Sequence, residues 1–246
     1  MTFQASGKKV LFNSGINILG SIPDYAAMMD YAVGSLKNDP NADFSFRTEK
    51  SGMRFISAIN TEILSFQNKL HRTIIEAALA SDGLRMDQKL LVVFWQLCIN
   101  NKLFSLVTAN CFMKSLFAGR LSLYPDEILS YLYDLRRVYP EELKWSDATL
   151  KITASKYLTL MKKLGLATGS HTKEIKYPII GDEILEILVR LALSVYPETQ
   201  TEQNPLFQFS FLDNTSLINK LKSIKFTEKW TISQLGNNIK IELLRG

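Results

Sequence analysis

One run of ten residues, LLVVFWQLCI at positions 90–99, constrains the fold more than any other stretch of the chain. From position 86 to 98 apolar residues recur with helical spacing, and Val92, Trp95 and Ile99 fill the opposite side. A helix that is apolar almost all round belongs in the middle of a bundle. Ten residues are too few for a membrane-spanning helix, which needs about 20. The sequence therefore predicts a mainly helical protein built around this segment.

Turn signals and helix caps divide the rest of the chain into further elements. One helix is expected to begin at Pro23, a second to begin at about Thr48, and a third to run from 66 to about 79. A further helix should end at Gly119, and another should begin at Pro125. The helix near Thr48 carries apolar residues with helical spacing: Met53, Ile56, Ile59, Ile63 and Phe66. Asp82–Gly83 is the best candidate for a domain boundary in the first half. Near the end, WTISQLGNNIKIELL alternates apolar and polar residues around Gly236-Asn237-Asn238, which predicts a β-hairpin.

Positive charge is concentrated in the second half of the chain. The whole chain has a net charge of +5, and residues 144–176 alone hold seven lysines against two acidic residues. The last stretch, 219–246, adds six basic residues against two acidic ones. A concentrated basic surface is where an acidic partner such as nucleic acid would bind.

The first basic segment, KWSDATLKITASKYLTLMKKLGLATGSHTKEIKYPII, predicts a helix that Ser146 begins and Gly165 ends. The apolar face of this helix gathers Leu150, Ala154, Tyr157, Leu158, Met161 and Leu164. The opposite face holds Ala148, Lys151, Ile152, Ser155, Lys156, Thr159, Lys162 and Lys163. No acidic side chain lies on that face to pair with the lysines. A solvated lysine-rich helix is the simplest interpretation of such a pattern.

The residues that follow favour a second interpretation. Two short strands, 166–168 and 174–177, are expected on either side of GSHTK, a tip that carries His171 and Lys173. A helix, a turn, a second helix and a hairpin with a basic tip form the order of a winged helix-turn-helix. Such modules place the second helix in the DNA major groove and the hairpin near the backbone.

The residue types on this helix and hairpin suit contacts to phosphate. Lysines bind phosphates as point charges, and small Ser and Thr side chains let the backbone approach. The face lacks Arg, Asn and Gln, which read bases with two hydrogen bonds, so we expect binding with weak sequence preference. The candidate DNA contacts are Lys151, Ser155, Lys156, Thr159, Lys162, Lys163, His171 and Lys173.

The same residues resemble a known family. The runs YPEELKWSDATLKITASKYLTLMKKLGLATG and EIKYPIIGDEILEIL are similar to the BrxA proteins of bacteriophage exclusion (BREX) defence systems, as is LLVVFWQLCINNKLFSLVTANCFMKSLFAGRLSLYPDEILSYL upstream. The Trp-Ser-x-x-Thr helix start of that family corresponds to Trp145, Ser146 and Thr149, which adds Ser146 and Thr149 to the candidate DNA contacts. Its basic N-terminal helix corresponds to the helix near Thr48, which adds Arg47, Lys50 and Arg54.

The resemblance implies a mainly α fold with two parts. Residues 1–82 would form a helical N-terminal domain that is helix-turn-helix-like. Residues 83–246 would form a helical domain that contains a winged helix-turn-helix at about 121–180 and a C-terminal β-hairpin. The implied function is binding of double-stranded DNA, without enzyme activity, as an accessory protein of BREX anti-phage defence. Other BREX proteins would be further partners.

Residues for catalysis or metal binding are sparse. The chain has two histidines and two cysteines, and no Gly-rich phosphate loop or nucleophile elbow. We therefore expect no catalytic site, no metal and no cofactor. The first residues lack a long apolar segment with a cleavage site, which predicts a cytoplasmic protein with no membrane partner. Two other functions stay open: a scaffold whose basic helix docks an acidic protein of the same complex, and an RNA-binding helical protein.

Overall fold

A computed structural model describes residues 16, 25–36, 48–170, 172–197, 199, 203–235 and 238–244. The described chain is mainly helical with two small antiparallel sheets, as the apolar periodicity predicts. The helices are α1 (Tyr25–Leu36), α2 (Glu49–Glu62), α3 (Lys69–Ala80), α4 (Met86–Asn100), α5 (Lys102–Val107), α6 (Lys114–Phe117), α7 (Pro125–Val138), α8 (Asp147–Lys163), α9 (Asp182–Val195) and α10 (Asn214–Leu221). The strands are β1 (Ser122–Leu123), β2 (Ala167–Thr168), β3 (Lys173–Ile175), β4 (Trp230–Leu235) and β5 (Asn238–Leu243).

Helix α4 lies at the centre of the molecule, as its sequence predicts. Every residue from 90 to 98 is buried, including Trp95 on the side opposite Leu90. The buried indole Nε1 of Trp95 donates to the carbonyl oxygen of Phe209 at 2.9 Å. This bond ties the central helix to a 3₁₀ turn far along the chain and satisfies a polar atom that would be costly to bury alone.

A buried polar network joins α3 to α4. His71 is fully buried, its Nδ1 accepts from the Gln67 amide at 3.1 Å, and its Nε2 lies 2.7 Å from Oε1 of Gln96. The Gln96 amide in turn donates to the carbonyls of Ile63 and Ser65 at 2.8 and 2.9 Å. Because Nδ1 accepts, Nε2 carries the proton, and the ring is neutral. His71 therefore has a structural role at the junction of these helices.

The helix predicted near Thr48 is confirmed, because Thr48 caps α2 by accepting from the Ser51 amide at 3.2 Å. Its predicted apolar residues differ in burial. Ile59 and Ile63 are buried, whereas Met53 and Ile56 are exposed. Phe55 takes the buried position instead, since it faces the core one turn before Ile59. Phe66 is half-buried and lies beyond the end of α2. The predicted helix start at Pro23 lies outside the described residues, although the helix itself is present as α1.

Helices on both sides of the predicted boundary at Asp82–Gly83 share one apolar core. Helix α3 packs against α9 as well as α4, and α2 packs against α4. Asn68 donates to the carbonyl oxygen of Ser194 at 2.7 Å, which joins two residues 126 positions apart in the sequence. The boundary residues themselves lie in the turn between α3 and α4.

A stretch of π-helix lies between α5 and α6. It covers Thr108–Met113 and continues both helices, so the backbone is helical from 102 to 117. The Tyr157 hydroxyl donates to Oγ1 of Thr108 at 3.3 Å, and both residues are fully buried. This contact joins α8 to the start of the π-helical segment. The helix ends before Gly119, as predicted, with the Arg120 amide bonded to the Ser115 carbonyl at 3.0 Å.

The two sheets are small and antiparallel. In the first, the strand order is β1-β3-β2, with Ser122 opposite Glu174 and Thr168 opposite Glu174 on its other side. The second is the C-terminal hairpin of β4 and β5, in which Trp230 pairs with Leu243 and Leu235 with Asn238. The hairpin predicted at the C-terminus is thereby confirmed.

Among the described residues, no single helix is long and apolar enough to cross a membrane. Only α4 together with 102–117 reaches that length and composition, and the two are bent by 107° at Asn101.

Candidate nucleic-acid interface

Helix α8 has the ends that its sequence predicts. Ser146 caps it by accepting from the Thr149 amide at 3.2 Å, and the two hydroxyl oxygens lie 3.0 Å apart. At the other end Gly165 has a φ of +74°, and the Leu166 amide bonds to the Met161 carbonyl at 3.0 Å. This is the Schellman arrangement, in which a left-handed glycine closes the last turn. Ser146 and Thr149 are both exposed, but their hydroxyls also serve the cap.

The predicted apolar face of α8 is buried against the rest of the protein. Leu150, Ala154, Tyr157, Leu158, Met161 and Leu164 are all at most 3% exposed. Thr153 and Leu160 are buried as well, so the covered face is wider than predicted. The helix packs mainly against α7 and against β2. The opposite side carries the residues of α8 that are exposed in the described part of the chain.

We use the name basic face for the outer side of α8, formed by Lys151, Ile152, Ser155, Lys156, Thr159 and Lys162. Lys151, Ser155, Thr159 and Lys162 are exposed, and Lys156 is half-buried. The Thr159 hydroxyl donates to the Ser155 carbonyl at 2.9 Å. Within the part of the chain that the structure describes, Lys151, Lys156 and Lys162 form no ion pair. The basic face therefore presents three lysines that form no ion pair with a described residue.

Lys163 stands apart from these three lysines. It is half-buried at the last position of α8, and burial lowers the pKa of its ammonium group. Because its side chain is half-buried, Lys163 is less available to a ligand than the exposed Lys162.

The hairpin of β2 and β3 follows α8 directly, but its lysine has a different place from the one predicted. Lys173 is only 7% exposed, and its ammonium group donates to the carbonyls of Gly169 (3.1 Å) and Ser170. Burial, and to a smaller degree the charge of Lys162, lowers the pKa of Lys173. The ammonium group thus braces the turn from within, rather than standing out at the tip.

The turn of this hairpin requires a glycine. Gly169 has a φ of +89°, and a Cβ atom there would lie 2.3 Å from the carbonyl oxygen of Thr172. His171, the other candidate contact at the tip, lies outside the described residues.

The N-terminal candidates lie on a different helix. Lys50 and Arg54 are exposed on α2, and α2 packs against α4. The third candidate, Arg47, lies outside the described residues. The basic face of α8 and the basic residues of α2 are thus carried by separate elements of the fold.

In the second basic segment, 219–246, every lysine is engaged within the protein. Lys225 binds Asp182 at 2.6 Å, Lys229 lies 3.6 Å from Glu186, and Lys240 binds Glu242 at 2.7 Å. Lys220 donates to the carbonyl of Ile180 at 2.7 Å, and Lys222 to Gln234 at 2.5 Å. These contacts fasten the C-terminal elements to α9 and to each other. The number of charges in the sequence does not show which of the two basic segments has lysines that are engaged by partners.

Titratable groups that could support chemistry are few among the described residues. No group of three or more His, Cys, Asp or Glu side chains is placed to hold a metal ion there. Burial raises the pKa of the Cys98 thiol, and burial together with the nearby Glu127 charge raises that of Cys111 to about 12. Both thiols are therefore protonated and inert at neutral pH.

No protein-family model matches the chain, and no curated protein is significantly similar to it.

Proposed function

We propose that this chain is a non-enzymatic protein that binds double-stranded DNA through the basic face of α8. The observation that carries the proposal is the state of Lys151, Lys156 and Lys162. They lie along one side of one helix, and no ion pair among the described residues offsets their charge. Three such cations on a rigid helix form a surface that attracts phosphates.

The order of the elements around α8 supports a winged helix-turn-helix. The helical segment 102–117 is followed by β1, α7, α8 and the hairpin of β2 and β3. Strand β1 pairs with β3, so the hairpin is held beside the helix pair. In such modules the second helix of the pair enters the major groove while the hairpin approaches the backbone. Helix α8 occupies that second position.

The composition of the basic face supports phosphate contacts over base reading. Its exposed polar residues are Lys, Ser and Thr, and it carries no Arg, Asn or Gln. Lysine binds phosphate oxygens as a point charge, whereas Arg, Asn and Gln supply the paired hydrogen bonds that distinguish guanine and adenine. We therefore propose binding that depends strongly on salt and weakly on sequence.

We further propose that the DNA-binding activity serves a BREX anti-phage system. This part rests on the resemblance of 90–188 to BrxA proteins, which joins the Trp145-Ser146-x-x-Thr149 helix start to the helices on either side. The test is genetic: a bacterium whose BREX system lacks its own BrxA protein should regain phage resistance when it expresses this chain. Resistance that stays absent at normal expression of the chain would contradict this part of the proposal.

One titration tests the binding proposal against its alternatives. The affinity of the protein is measured for a duplex DNA, a duplex RNA and a single-stranded DNA of the same sequence, from low to high salt. We expect the tightest binding to duplex DNA and a linear fall of log K with log salt. Tighter binding to duplex RNA would favour an RNA-binding protein. No binding to any of the three would favour a scaffold whose basic face meets an acidic protein.

A further inference from the structure

An apolar side chain lies in the middle of the basic face. Ile152 is 56% exposed, although its neighbours along the same side of α8 are lysines and small polar residues. Its position is not needed for the core, because the opposite side of α8 supplies the buried contacts. Contact of this isoleucine with water is unfavourable, and a ligand that covers the side chain removes that cost.

The helical geometry places Ile152 between lysines on its two sides. At about 100° per residue, Ala148, Ile152, Ser155 and Thr159 fall within about 60° of arc around α8. Lys151 and Lys162 lie to one side of this arc, and Lys156 lies to the other. A helix in the major groove has a phosphate backbone on each side and base edges in front. The lysines thus match the two backbones, and Ile152 is directed at the bases.

The base edges offer one apolar partner at that place, the C5-methyl group of thymine. The other groups on the floor of the major groove are hydrogen-bond donors and acceptors, which an isoleucine cannot satisfy. Ala148, one turn before Ile152, is also exposed and adds no polar atom. The apolar centre of the basic face therefore favours a pyrimidine that carries a C5-methyl group.

We propose that Ile152 contacts the C5-methyl group of thymine and makes the binding of duplex DNA selective for it. This inference rests on the proposed function, and it assigns the sequence preference of the same surface. It also predicts that 5-methylcytosine, which bears the same methyl group at the same position, is preferred over cytosine.

The test compares duplexes that differ only in this methyl group. One duplex contains thymine, and the second has deoxyuridine at every thymine position, so that all base pairs and phosphates are retained. We expect the protein to bind the deoxyuridine duplex roughly fourfold more weakly for each methyl group contacted. A third duplex, with 5-methylcytosine in place of cytosine, should bind more tightly than the unmethylated one.

Two variants complete the test. Ile152→Ala should bind the thymine and deoxyuridine duplexes equally, and it should fold normally because the side chain is exposed. Lys151→Ala should weaken binding to both duplexes by the same factor and keep the difference between them. Equal binding of both duplexes by the unaltered protein, or a difference that survives in Ile152→Ala, would overturn the assignment while leaving DNA binding intact. The absence of any duplex binding would instead overturn the proposed function and the inference with it.

Discussion

Arg136 and Asp147 join α7 to α8, the helix that carries the basic face. The Arg136 guanidinium, in the last turn of α7, donates from Nη1 to Oδ1 of Asp147, in the first turn of α8, at 2.8 Å. The same nitrogen donates to the carbonyl of Trp145 at 2.8 Å. Each charge also lies at the helix end that its sign favours. The pair therefore joins the end of α7 to the start of α8, the helix that carries the basic face.

Loss of Arg136 should cost more stability than loss of the Asp147 charge. Both side chains are partly exposed, so the ion pair alone is worth less than about 1 kcal/mol, and Asp147→Asn should cost no more than this. Arg136→Ala also leaves the Trp145 carbonyl without its donor and removes a cation–π contact with Tyr133, so we expect a loss of about 1–2 kcal/mol. Urea unfolding of both variants measures the difference. Equal losses would show that the Trp145 bond contributes nothing.

Alanine substitution at two glycines should separate backbone strain from a steric clash. Gly165 and Gly169 both have positive φ, but only at Gly169 would a Cβ atom meet another group, the Thr172 carbonyl. Gly165→Ala should cost about 1–2 kcal/mol, the usual penalty of the left-handed conformation. Gly169→Ala should cost more, because the turn must open and the Lys173 contacts must break. Thermal unfolding of the two variants provides the comparison, and equal costs would contradict the described turn.

The ends of α8 could be predicted from the sequence because single residues determine them. Ser146 and Gly165 are conformational signals that act locally, and both are found in their predicted roles. The burial of Lys173 could not be predicted, because it depends on two carbonyls that the hairpin turn directs inward. The pairing of β1 with β3 could not be predicted either, because a strand of two residues is too short to show a period of apolar and polar residues.

Folding stability should fall as the pH is lowered below about 6.5. Burial lowers the pKa of His71 in the folded protein, although the Gln96 contact opposes this in part. The unfolded chain then binds a proton that the native protein does not, so the stability that is complete above the unfolded pKa is lost as the pH falls through the folded pKa. The slope can reach about 1.4 kcal/mol per pH unit for one proton.

The control for this pH dependence is the other histidine. Urea unfolding between pH 5 and pH 8 should give a weaker slope for His71→Gln than for the unaltered protein. His171→Gln should keep the slope. If instead the slope disappeared with His171→Gln, the neutral buried ring of His71 would not be its origin.

Neither cysteine should react in the folded protein. With the pKa of Cys111 raised to about 12 and that of Cys98 raised by complete burial, the thiolate fraction at pH 8 is very small. A disulfide reagent should label no thiol under native conditions and both thiols in denaturant. Rapid labelling of the native protein would contradict the burial of these side chains.

Exposed apolar residues on α2 and α8 show that helical periodicity does not predict which apolar residues are buried. Met53 and Ile56 follow the spacing of a buried face but are exposed, whereas Phe55 and Ile59 are buried in the core. Periodicity fixes which residues share a face and leaves open how wide the buried arc is. In the sequence, Ile152 is only an isoleucine among lysines. Its exposure in the structure makes it a candidate contact to DNA. The lysines of 219–246 show a similar limit, because the sequence gives their charge but not the partners that they bind.

The most direct test of the central claim is the salt dependence of duplex DNA binding by a charge-reversed basic face. Lys151, Lys156 and Lys162 are changed together to Glu. A matched control changes three exposed lysines on other helices, Lys69, Lys102 and Lys114, to Glu, with the same change in net charge. We expect the first variant to lose most of its affinity at low salt and to lower the slope of log K against log salt by about 3, close to one per phosphate contact. The control should keep the slope of the unaltered protein. Equal effects of the two variants, or an unaltered protein whose affinity does not change with salt, would contradict the account.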